Sequence, residues 1–67
     1  MIQNHNELQV MLERIRRIHD QLSTLRRVET NATNYRLSSS GLIAQLDRMQ
    51  LEVREYLASP PKLAAAG

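Results

Sequence analysis

The sequence predicts an all-α fold: a two-helix antiparallel hairpin that dimerises into a four-helix bundle. Three observations carry this reading. Two segments place apolar residues at alternating three- and four-residue spacing, the period of one helix pressed along another. Between them the rhythm breaks in a run of Thr, Asn and Ser that ends in Gly41. The chain has only 67 residues, with no Cys, no Trp and no Phe, so it has neither the area for a closed core nor a disulfide to replace one.

The first helix is predicted over residues 6–29. Asn4 and Glu7 form an N-x-x-E variant of the capping box, in which the Asn side chain accepts from a free backbone N–H and the Glu side chain reaches back. The stripe that follows is Leu8, Met11, Ile15, Ile18, Leu22 and Leu25. Leu12 widens it on one flank and His19 takes the equivalent place a heptad later. Glu13 and Arg17 are an i,i+4 pair on the outer face.

A linker is expected over residues 30–39, because Thr, Asn and Ser side chains offer the backbone hydrogen bonds that compete with helix. Leu25 and Leu42 hold equivalent positions in their own stripes yet lie 17 residues apart. In an unbroken helix the second stripe would be rotated about 100° from the first. Folding back lets the stripes meet. The second helix is predicted over residues 40–58, with Ser39 or Ser40 as N-cap and a stripe of Leu42, Leu46, Met49, Val53 and Tyr56, broadened by Ile43 and Leu57. Ser59 precedes Pro60 and Pro61, and a residue before proline is pushed out of helical geometry, so the helix is expected to stop at Ala58. Residues 59–67 read as a flexible tail. The K-L-A-A-A run within them matches what a common cloning junction encodes and is left out of the fold.

Two helices cover each other along one seam only, so a dimer of hairpins is the economical completion. The seam residues are therefore the expected oligomer or partner interface, and Leu51 joins them for a separate reason. Leu37, Ala44, Leu51 and Ala58 recur at seven-residue spacing on the face of helix 2 opposite its main stripe, where solvent is expected. Glu29 continues the Leu22/Leu25 stripe where another apolar residue is expected. With Arg36, or with Arg54 of a neighbouring subunit, it is a candidate pair fixing register.

Other chemistries find little here. His5 and His19 point to different sides of helix 1 with no H-x-x-x-H or E-x-x-H spacing, so no metal and no cofactor are expected. Ser38, Ser39 and Ser40 read as helix-start residues, and a hairpin offers no deep cleft, so the chain is not expected to be an enzyme. The charge is +2, and Arg14, Arg16, Arg17, Arg26 and Arg27 scatter around helix 1 among Glu13 and Asp20, which does not suit a phosphate-facing surface. No apolar run approaches a membrane span and no signal-peptide pattern opens the chain, so a cytoplasmic location is expected.

Two runs, LRRVETNATNYRLSSSG at 25–41 and DRMQLEVREYL at 47–57, resemble short bacterial helical-hairpin proteins, some of them antitoxin-like partners. The resemblance spans residues 8–57 and contains no catalytic motif. It implies a small antitoxin-like or adaptor subunit and carries over no functional residue. The function expected from sequence is thus a self-associating, non-enzymatic protein–protein interaction module, a homodimer that also binds one cognate protein. A nucleic-acid-binding regulator and a purely structural oligomer are the alternatives.

Overall fold

The computed structural model describes residues 1–61. It consists of two helices, α1 (His5–Val28) and α2 (Ala32–Ala58), packed side by side as a hairpin, with no strand among the described residues. Every residue of the predicted first stripe, from Leu8 to Leu25, is buried or half-buried, and so is every residue of the predicted second stripe, from Leu42 to Tyr56. The next polar residues beside these stripes are mostly exposed. The two stripes therefore form the seam.

The start of α1 follows from two local hydrogen bonds. The Glu7 N–H donates to Asn4 Oδ1 at 2.8 Å, and the Gln3 N–H donates to Glu7 Oε1 at 2.8 Å. The return bond of the box is thus taken by Gln3, one residue outside the cap. Ile2 is buried beside this turn, and the α-amino group of Met1 reaches Glu52 of α2 at 3.2 Å. The open end of the hairpin is tied across by these two residues.

The bend differs from the sequence expectation. The second helix begins at Ala32, not near Ser40, and only Glu29–Asn31 separate the two helices. The expected linker over 30–39 is helical for most of its length. Asn31 supplies the physical reason: its Oδ1 accepts the Asn34 N–H at 3.0 Å, making it the N-cap in place of Ser39 or Ser40. The second reason is burial. Counting back from Leu42 by three and then four reaches Ser39 and Tyr35, and both lie in the seam: Ser39 is only 3% exposed and Tyr35 is half-buried. Helix propensity differs by a few tenths of a kcal/mol per residue across Ser, Thr and Asn, which a cap and two buried seam positions outweigh.

Ser39, a small side chain, is buried in the seam close to where the chain turns. Elsewhere in α2 the weak helix formers point outward. Ser40 donates its hydroxyl back to the Leu37 carbonyl at 3.2 Å. Gly41 is exposed, has ordinary helical backbone angles, and has no atom within 4 Å of where a Cβ would stand. The far end closes on Ser59, whose backbone N–H and hydroxyl both donate to the Glu55 carbonyl, at 3.2 and 3.1 Å, before the extended geometry that Pro60 imposes. Residues 62–67, most of the expected tail, lie outside the described residues.

No side chain among the described residues is completely enclosed, and the best-buried apolar ones, Ile2, Leu8, Ile18 and Leu46, are each 6–8% exposed. The radius of gyration is 15.9 Å. A globular chain of this length would have a value of about 11 Å. The hairpin is a rod with one seam.

Two substitutions test this account of the bend. Gly41→Ala should raise the unfolding free energy by about 0.5–1 kcal/mol, since it removes the entropic cost of glycine and meets no steric obstacle. Asn31→Ala should lower it by about 1 kcal/mol through loss of the cap. Urea denaturation followed by circular dichroism measures both; a destabilising Gly41→Ala would contradict a helix running through that position.

Candidate interaction surface

The seam leaves the hairpin with two long edges of different character. One edge is a polar groove. Its walls are Arg14, Arg17 and Gln21 from α1 and Gln45, Arg48 and Glu52 from α2, over a floor of Met11, Ile18 and Met49. These polar residues stand in the same flanking heptad positions of the two helices, which an antiparallel pair brings together. Their long side chains cover the seam while keeping their charges in water. Arg17 also meets Glu13 at 3.7 Å, an exposed pair of small energetic weight.

The other edge is mixed, with Leu12, Ile43 and Leu57 set among His19, Arg36 and Gln50. Leu12 of α1 is 40% exposed, and it shares this flank with Ile43 and Leu57 of α2 at 42% and 64%. Past that flank, around the outside of α2, come Leu37, Ala44, Leu51 and Ala58, all exposed. Leu51 is 50% and Leu37 73% exposed. On a wheel of 100° per residue these side chains share one sector of α2, directed away from α1. Three charges, Arg36, Asp47 and Arg54, stand within that sector, together with Gln50.

The sequence-predicted interface residues fall into two groups. Leu8, Met11, Ile15, Ile18, Leu22, Leu25, Leu42, Leu46, Met49, Val53 and Tyr56 are occupied by the seam within one chain. What they leave to a partner is only their residual exposed edges. Leu51 alone of the set is fully presented outward. Ile43 and Leu57, expected to broaden the second stripe, stand on its flank and are exposed at 42% and 64%.

Glu29, Arg36 and Arg54 are not brought together. Among the described residues the ion pairs are Met1–Glu52 and Arg17–Glu13, and Arg36 and Arg54 are both exposed. Glu29 is half-buried at the bend, where its Oε1 accepts the Asn31 N–H at 3.1 Å and its own N–H donates to the Leu25 carbonyl at 2.9 Å. Its place at the end of the stripe is explained by the turn: a carboxylate there satisfies a backbone donor freed between two helices. A register pair with Arg36 in the same chain is replaced by this contact.

His5 and His19 are both exposed, and the described residues hold no group of three or more potential metal-ligating side chains. No helix among them is long and apolar enough to cross a membrane. Every buried side-chain nitrogen or oxygen among them has a hydrogen-bond partner. Comparison with protein-family models, with curated proteins and with solved structures returned no match to this chain.

The role of Glu29 is open to a direct test. Glu29→Gln should keep the turn, because a side-chain amide oxygen accepts the same N–H, whereas Glu29→Ala should lose about 0.5–1.5 kcal/mol. Equal losses in thermal denaturation for the two variants would show that the charge, and not the acceptor, is what matters.

Proposed function

We propose that this chain is a non-enzymatic protein–protein interaction module that self-associates, its hairpins joining through the outer sector of α2 into a four-helix dimer. The supporting observation is the set of large apolar side chains left exposed on α2, with Ile43, Leu51 and Leu57 at 42–64% exposure, while long polar side chains cover the groove on one edge of the seam. Scattered exposed leucines are ordinary, but several large apolar side chains gathered on one side of a helix beside a half-covered seam are what an interface leaves behind when its partner is removed.

The energetics favour the same reading. Burying a leucine-sized side chain stabilises by about 1.5–3 kcal/mol when it is complete. In this hairpin none is complete, and a second hairpin on the outer sector of α2 adds burial there. The dispersed arginines of α1 argue against a nucleic-acid role, since Arg14 and Arg17 line one edge while Arg16 and Arg27 point elsewhere.

Sedimentation equilibrium tests this. The wild-type chain should give a dimer mass at micromolar concentration. Leu51→Glu should weaken that dimer at least about tenfold while leaving helical content intact, because Leu51 lies outside the seam. An unchanged dimer in Leu51→Glu would remove the outer sector from the interface, and a monomeric wild type would remove self-association.

A further inference from the structure

Besides Arg36 near the start of the helix, the outer sector of α2 contains two charges in its middle turns whose placement specifies what covers it. Asp47 and Arg54 are both exposed, and neither takes part in an ion pair among the described residues. Nor can α2 supply a partner from its neighbouring turns. At three and four residues on either side, Asp47 has Ile43, Ala44, Gln50 and Leu51, and Arg54 has Gln50, Leu51, Leu57 and Ala58. Each charge is an island among apolar side chains and one amide. The two are seven residues apart, about 10.5 Å along the helix, too far to pair with each other.

We propose that the occupant is a second copy of this chain, its α2 antiparallel to the first about a twofold axis between Gln50 and Leu51. Asp47 of each copy then pairs with Arg54 of the other. This rests on the self-association proposed above and assigns it a face, an orientation and a register. The same twofold axis sets Ala44 against Leu57 and Ile43 against Ala58, small side chains opposite large ones. Leu51 packs across the axis beside Gln50. A parallel arrangement would instead set Asp47 against Asp47 and Arg54 against Arg54, two like-charge contacts that cost energy when desolvated. Self-complementarity of both charge and size under one operation is the requirement of an isologous interface, and a foreign partner would place no such demand on α2.

Charge reversal tests the register. Asp47→Arg and Arg54→Asp should each raise the dimer Kd about tenfold or more in sedimentation equilibrium, because the twofold axis repeats each like-charge contact. The double reversal should return it to within about threefold of wild type. Single reversals without effect, or a double variant no tighter than either single, would overturn this register, while the Leu51→Glu result separately reports whether the face is used at all. Orientation has its own readout, since the chain has no native cysteine. Gln50→Cys should oxidise to a covalent dimer, and Leu37→Cys, far from the axis, should not. Cross-linking of both, or of Leu37→Cys alone, would contradict the antiparallel arrangement.

Discussion

The single seam between α1 and α2 is the constraint on which everything else in this molecule depends. Two helices of comparable length can each bury one stripe against the other and no more. The alternating spacing from Leu8 to Leu25 and from Tyr35 to Tyr56 supplies that stripe, with Ser39 as the small member. The bend can be short because both of its ends are finished locally: Glu29 accepts from Asn31, and Asn31 caps α2. At the open end Ile2 and the Met1 amino group perform the equivalent closure. The hairpin is thus held at both ends and along one line, and nowhere does it enclose a side chain completely.

From that incompleteness follows the division of the surface. A seam has two edges, and a monomer built to remain alone would protect both. One is covered by the arginines, glutamines and glutamate of the polar groove. The other carries Leu12, Ile43 and Leu57 among His19, Arg36 and Gln50 and borders the outer sector of α2. The same helix therefore carries two apolar rows, one spent on the fold and one unspent. The charges in the unspent row give it direction, since a purely apolar face would admit any register and Asp47 with Arg54 would not.

Much of this was legible in the sequence. The stripe of α1 and its cap at Asn4 stand out because strong helix formers and the apolar period agree there. The beginning of α2 was obscured because propensity and periodicity disagree: Thr33, Asn34 and Ser38 to Ser40 read as linker, whereas the heptad extended back from Leu42 places Ser39 and Tyr35 in the seam. A buried serine looks polar in a pattern that seeks apolar residues, yet a small side chain is what close helix approach asks for. Asn31, with Asn34 three residues on, was the available signal for the cap. The backbone contact of Glu29 was hidden for a related reason, since its hydrogen bond to the Asn31 N–H belongs to a bend whose location the sequence did not fix. Leu51 was visible as an anomaly, and Ile43 and Leu57 as the flank of the second stripe.

The central claim is that the hairpin is thermodynamically incomplete and is completed by its own copy. The most direct measurement is the concentration dependence of the thermal midpoint, followed by circular dichroism from low micromolar to high micromolar chain. Coupled folding and association predicts a midpoint that rises steadily with concentration, together with loss of helix on dilution at fixed temperature. A midpoint independent of concentration over that range, with full helicity in the most dilute sample, would mean that one seam suffices and would contradict the account.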